Sequence, residues 1–148
     1  MSLPLSDAIT KGNLIAPLSP INGIYFAIGN SDAFLPASCP LGAALLGSVR
    51  PSELETFWVF LRSASHESAC ADIQRSLYRA FPHLGQTVRS WPRLAEELER
   101  ERLIPRIRSY QTEYRREIHV SLWKVITDLH AKGVGKGEIA ALLGRYGL

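Results

Sequence analysis

The feature that most constrains the fold is a helical period of apolar residues that runs through most of the chain. From Val49 onward, apolar side chains recur every three or four positions, which is the spacing of one helix face. The period is clear in the predicted helix 65–80 and the residue after it, where Ile73, Leu77 and Phe81 follow one another at intervals of four. The sequence therefore predicts a mainly α protein.

The first 48 residues have a different sequence pattern, because proline and glycine interrupt each short apolar run. The β-prone segments 24–28 and 33–35 flank a G-N-S-D turn and predict a small hairpin. Ser6 is expected to cap a short helix over 7–11, which Gly12 and Asn13 would end. The small-residue segment 39–47 predicts a helix that another helix can approach closely.

Turn residues and caps place the remaining helices. The S-x-x-E pattern at 52–55 predicts a capping box, and Pro92 opens a helix after Ser90-Trp91. Pro105 fits the first turn of a long helix that Gly133 ends. A last helix opens at Gly135 and is expected to fold back as a C-terminal helical hairpin.

Length and composition fit one compact domain over residues 1–148. A chain of 148 residues, 46% hydrophobic and 21% charged, can bury a core without metal or disulfide support. No apolar run is long enough to span a bilayer, the N-terminus lacks the pattern of a secretory signal, and the two cysteines have no disulfide spacing. We expect a cytoplasmic protein without a cofactor.

Three short segments have recognisable patterns: L-S-D-A-I-T-K-G-N-L-I-A-P (5–17), C-P-L-G-A-A-L-L-G (39–47) and I-T-D-L-H-A-K-G-V-G-K-G-E-I-A (126–140). Together they resemble a set of short bacterial proteins of unknown activity. Members of the set pair an LS-x-AI-x-x-G opening with an SC-x-LGAAL segment and a closing helix pair. Several also carry a C-P-x-C pair, where this chain has V-R-S-W-P-R (88–93). The resemblance therefore implies an architecture and no activity or metal.

Two cysteines lie in patterns that could carry chemistry. His66-Glu67-x-x-Cys70 resembles H-E-x-x-H, so His66 and Cys70 could bind zinc from one helix face while Glu67 activates a water. That hypothesis needs a third ligand that the sequence does not indicate, and a capped helix start with a buried cysteine explains the same residues. Cys39 could be a thiolate at a helix N-terminus or a small buried residue. Neither pattern, nor the glycine-rich 133–138, makes a catalytic motif, so we expect no enzyme.

The charge is concentrated in the second part of the chain. Residues 1–88 carry 5 Lys/Arg and 6 Asp/Glu, a net charge of −1, whereas residues 89–148 carry 12 and 8, a net charge of +4. The closing G-E-I-A-x-L-L-G is typical of the first helices of a helix-turn-helix, although no base-reading helix follows it. The basic residues expected to contact nucleic acid or a partner are Arg108, Arg115, Arg116, Lys132, Lys136 and Arg145.

The sequence thus predicts a non-catalytic regulatory or adaptor protein that acts by binding. In one hypothesis the basic C-terminal helices contact nucleic acid weakly and without sequence preference. In the other, the same surface or an apolar patch around Trp58, Trp91 or Trp123 binds a protein partner or a second copy. Packing of the last helix as a closing element of the core is the simpler interpretation of 133–148.

Overall fold

The computed structural model describes residues 3–20, 25–27, 37–63, 66–101 and 120–148. These ranges contain seven α-helices, two short strands and three 3₁₀ turns, which confirms the mainly α prediction. The helices are α1 (Leu5–Ile15), α2 (Pro40–Ser48), α3 (Leu54–Ser63), α4 (His66–Ala80), α5 (Pro92–Arg100), α6 (Leu122–Ala131) and α7 (Lys136–Gly144). The strands are β1 (Phe26–Ala27) and β2 (Ala37–Ser38), and the 3₁₀ turns are Pro51–Glu53, Pro82–Gly85 and Val88–Ser90.

Helix α2 lies in the centre of the core, and every residue from Pro40 to Gly47 is buried. It crosses α1 at a distance that only glycine permits. A Cβ atom on Gly47 would lie 2.0 Å from the Ala8 carbonyl oxygen, and a Cβ atom on Gly12 would lie 1.7 Å from that of Ala43. The prediction that the small residues of α2 admit a second helix is confirmed, and that helix is α1.

The predicted bounds of α1 are wrong at both ends. The helix begins at Leu5 after Pro4, so Ser6 lies buried in its first turn and does not cap it. It continues past Gly12 to Ile15, because the missing side chain of Gly12 serves the contact with α2 and not a turn.

A short hairpin pairing follows α1, and its described strands lie at 26–27 and 37–38. β1 and β2 pair antiparallel, with Phe26 opposite Ser38 and Ala27 opposite Ala37. The predicted second strand at 33–35 lies outside the described residues. Leu18 also reaches β2, because its carbonyl accepts a 2.9 Å hydrogen bond from the Ser38 N–H.

Helices α3 to α5 agree with the sequence in position, but the capping predicted for α3 does not. The structure confirms α4 and the start of α5 at Pro92. The predicted capping box at 52–55 is wrong, because Ser52 lies in the 3₁₀ turn Pro51–Glu53 that precedes α3. Pro105 lies outside the described residues.

The predicted long helix does not run unbroken to Gly133. Ser121 is extended and caps α6, its hydroxyl accepting a 3.2 Å hydrogen bond from the Lys124 N–H. Hydrogen bonds from Val88 N–H to Val120 O (2.7 Å) and from Leu122 N–H to Gln86 O (2.9 Å) hold the backbone extended here. Pairing with a distant segment therefore outweighs the apolar period that continues through 118–122.

The last two helices form the predicted C-terminal hairpin. Gly133 has a φ of +89°, the left-handed conformation that ends α6, and Gly135 precedes α7. Helix α7 also packs against α1, where the Ser6 N–H donates a 2.9 Å hydrogen bond to the Leu148 carbonyl. No helix in the described part of the chain has the length and apolarity needed to cross a bilayer.

Candidate functional site

Helix α3 carries five consecutive large apolar residues and buries none of them fully. The run Phe57-Trp58-Val59-Phe60-Leu61 covers every side of a helix, so one layer of neighbours cannot bury it. None of its large apolar residues is fully buried, and the Val59 side chain is 54% exposed. By contrast, α6 buries Leu122, Val125, Ile126 and Leu129.

The inner side of α3 is attached to the core through aromatic contacts. Phe57 and Leu61 pack against the core, and the Phe26 ring meets the Phe57 ring edge-on with centroids 5.7 Å apart. Phe26 meets Trp58 in the same way at 6.5 Å. We call the exposed residues Glu55, Val59 and Arg62, together with the half-buried Trp58 beside them, the α3 surface.

The three tryptophans do not form one patch. Trp91 and Trp123 are partly buried against the core, and Trp123 stacks on Tyr78 with ring centroids 5.0 Å apart. Trp58, in α3, contacts the rings of Phe26 and Phe57 instead. Of the predicted apolar patches, the one around Trp58 is therefore the one that coincides with an incompletely covered helix.

A groove of about 420 Å³ separates α3 from α4. Its apolar wall includes Phe57, Phe60 and Ile73. Its polar wall carries Arg79 together with an ion pair between Arg75 and Asp72. The groove extends the apolar surface of α3 toward α4 and carries charges of both signs.

A second pocket, of about 290 Å³, lies between the N-terminus of α2 and α6. It brings Cys39 and His130 to one cavity, a juxtaposition that the sequence could not indicate, since the two residues are far apart in the chain. Tyr25, Thr127 and the ion pair between Lys124 and Asp128, 3.0 Å apart, add to its polar lining.

The electrostatics of this pocket do not favour a reactive thiolate. Burial raises the pKa of Cys39, although the Gly42 N–H donates to its Sγ at 3.3 Å and Lys136 lies close enough to oppose the shift. Of the two alternatives for Cys39, this favours the small buried residue over the thiolate, because desolvation outweighs the helix N-terminus. Burial and the charge of Lys136 lower the pKa of His130. Among the described contacts, no hydrogen bond joins Cys39 to His130.

Lys136 is buried, which corrects its expected place among the surface cations. The residue is only 5% exposed, and its Nζ donates to the Ala16 and Leu18 carbonyls at 2.9 Å each. The Ser38 hydroxyl lies 3.4 Å away. The lysine thus ties the start of α7 to the segment after α1 and cannot reach a phosphate outside.

The other predicted basic residues have different surroundings. Lys132 is exposed at the end of α6. Arg145 is exposed but forms an ion pair with Glu97, which also accepts a hydrogen bond from the Tyr146 hydroxyl. The remaining three lie outside the described residues: Arg108, Arg115 and Arg116.

The structure starts α4 at His66, which places His66 and Cys70 one turn apart on the same helix. The side chains of His66 and Glu67 lie outside the described part of the chain. Within that part, no group of three or more His, Cys, Asp or Glu side chains could hold a metal ion.

No family profile matches the chain, and no curated protein or solved structure matches it significantly. The resemblance to short bacterial proteins stays a prediction.

Proposed function

We propose that the protein is a non-catalytic regulatory or adaptor protein that binds another protein chain through the α3 surface. The observation that carries the proposal is the incomplete burial of α3, whose six large apolar residues include none that is fully buried. A contiguous, partly exposed apolar surface on a folded domain is typical of an interaction site. Covering it would remove apolar area from water, at about 25 cal/mol per Å².

The basic residues support this choice over nucleic-acid contact. Of the three described cations expected to meet phosphate, Lys136 is buried and Arg145 is paired with Glu97, which leaves Lys132. The α3 surface carries one acidic and one basic residue, Glu55 and Arg62, so it has no net charge to attract a polyanion. Of the predicted nucleic-acid contacts, the other three, Arg108, Arg115 and Arg116, lie outside the described ranges.

The test compares Val59→Asp with Leu14→Asp. Both residues are exposed, at 54% and 80%, so neither substitution should alter folding by more than about 0.5 kcal/mol. Tagged chains would be incubated with lysate of the source cell at high salt with nuclease, and retained proteins identified by mass spectrometry. We expect a protein that is retained by the unsubstituted chain and by Leu14→Asp, is lost with Val59→Asp, and rebinds when purified.

Equal retention by the two variants would contradict a role for α3. A partner that the unsubstituted chain retains only in a parallel incubation at low salt without nuclease would instead favour the nucleic-acid hypothesis, because phosphate contacts weaken steeply with ionic strength.

A further inference from the structure

We infer that the occupant of the α3 surface is a second copy of this chain, with the two α3 helices packed antiparallel about a two-fold axis. The inference rests on the proposed role of α3 as a protein-binding surface and names its partner.

The first argument is the line of residues on the outside of α3. Positions seven apart on a helix differ by only about 20° in direction, so Glu55 and Arg62 point the same way. Val59 lies between them, four residues after Glu55 and three before Arg62, and all three are exposed. Within the described residues, neither Glu55 nor Arg62 has an ion-pair or hydrogen-bond partner.

The second argument is that the charges along this line are complementary to those of a second copy that runs in the opposite direction. The midpoint of Glu55 and Arg62 along the chain is also the midpoint of Trp58 and Val59. A two-fold axis through that point therefore sets each Glu55 opposite the other copy's Arg62, and each Val59 opposite the other copy's Trp58. Such an isologous contact closes on itself, as in most homodimers.

The helix dipoles favour the same arrangement. In an antiparallel pair the positive N-terminal end of each helix lies beside the negative C-terminal end of the other. A surface that fits an acidic peptide or a nucleic acid would instead carry one sign of charge. The balanced charges of α3 favour a copy of itself over either.

The size of the surface sets the expected strength. A helix of ten residues, even with the groove beside it, offers an interface at or below the low end of specific complexes, which is about 1,200 Å² in total. We therefore expect a weak dimer that dissociates in the micromolar range.

The test is a dilution series of the full chain by sedimentation velocity, with Glu55→Arg, Arg62→Glu and an equimolar mixture of the two. Each single variant places like charges opposite each other at both ends of the interface. We expect each to weaken self-association at least about tenfold. The mixture should restore the dimer, because the arginine introduced into one chain then faces the glutamate introduced into the other.

Two further variants act as controls. Glu55→Arg/Arg62→Glu in one chain should dimerise as well as the unsubstituted chain, and it replaces the single variants if circular dichroism shows that either is unfolded. Leu14→Asp, at an exposed site on α1, should dimerise normally.

A chain that stays monomeric at high micromolar concentration overturns the inference. So does a dimer that both single variants leave unchanged, or a mixture that is no more associated than its components. If the chain is monomeric but still retains another protein through Val59, the binding role of α3 stands and only the identity of its partner is wrong.

Discussion

At the residue scale, the buried Lys136 shows how a charged side chain can be part of the fold. Two backbone carbonyls and a hydroxyl surround its ammonium group. The hydrogen bonds to them compensate both the buried charge and the buried carbonyl oxygens for the loss of water. Burial lowers its pKa, and the nearby Cys39 partly opposes that shift. The lysine joins α7 to a segment more than a hundred residues earlier, so we expect it to be indispensable to the closing helix.

Lys136→Glu should destabilise the fold by at least about 3 kcal/mol, because it would bury a carboxylate against carbonyl oxygens. Lys132→Glu is the matched control, since Lys132 is exposed. Removing the positive charge of Lys132 from the end of α6 should lower the free energy of unfolding by less than about 1 kcal/mol. Urea unfolding of the two variants measures the difference, and equal effects would mean that Lys136 is not held as described.

The half-buried histidines predict a decline in stability on acidification. Burial lowers the pKa of His83 and His130, in His130 with repulsion from Lys136 as a second cause. Below the ordinary histidine pKa the unfolded chain therefore binds more protons than the folded chain. The free energy of unfolding then decreases as the pH is lowered, until the histidines of the folded state are protonated too. We expect a lower urea midpoint at about pH 5.5 than at about pH 7.5.

His130→Gln should reduce this pH dependence, because it removes one of the two contributing groups. Its stability would be followed by the same urea titrations. A variant with the same slope as the unsubstituted chain would show that His130 titrates normally in the folded state.

At the element scale, the crossing of α1 and α2 is the tightest contact among the described helices. Gly47→Ala would place a methyl group 2.0 Å from the Ala8 carbonyl oxygen, so the helices must separate. We expect overpacking to lower the free energy of unfolding by about 1–3 kcal/mol. Gly137→Ala is the control, since nothing lies within 4 Å of its Cβ position and α7 should gain about 0.5–1 kcal/mol. Thermal unfolding distinguishes the two, and a stabilised Gly47→Ala would contradict this crossing.

Local signals are sufficient for some elements and not for others. Pro92 and Gly133 are predicted correctly because proline and glycine act through their own backbone geometry. The predicted helix end at Gly12 is wrong, since the same residue type also serves a close helix contact. Ser121 interrupts an apolar period that continues on both sides, and the cause is pairing with Gln86 and Val88, which no local pattern reveals.

At the scale of the whole molecule, the sequence predicts the fold class but only part of the candidate site. Trp58 belongs to one of the predicted apolar patches, and it lies in α3. Periodicity cannot tell which side of a helix finds a partner, however, so the exposure of Val59 and the alignment of Glu55 with Arg62 required the structure. Lys136 resembles a surface cation in the sequence because the groups that surround it belong to segments more than ninety residues away.

The distribution of charge over the whole chain gives the last prediction. Residues 89–148 carry a net charge of +4, and eight of their twelve basic residues, all of them arginines, precede Val120. Of the predicted contacts that the structure describes, Lys132 alone is both exposed and without an ion pair. Any attraction for nucleic acid should therefore come mainly from the arginines.

We expect weak, sequence-independent binding to duplex DNA at low salt, measured by gel shift, that falls steeply as salt is added. Replacing Arg108, Arg115 and Arg116 together by glutamate should abolish it, whereas Arg145→Gln should leave it nearly unchanged because that guanidinium is already paired with Glu97. The phosphate contacts of such a complex are non-specific, so a scrambled duplex must compete as well as any other. If no complex forms at high micromolar protein, the basic half of the chain serves solubility, and binding through α3 remains as the proposed way in which this protein acts.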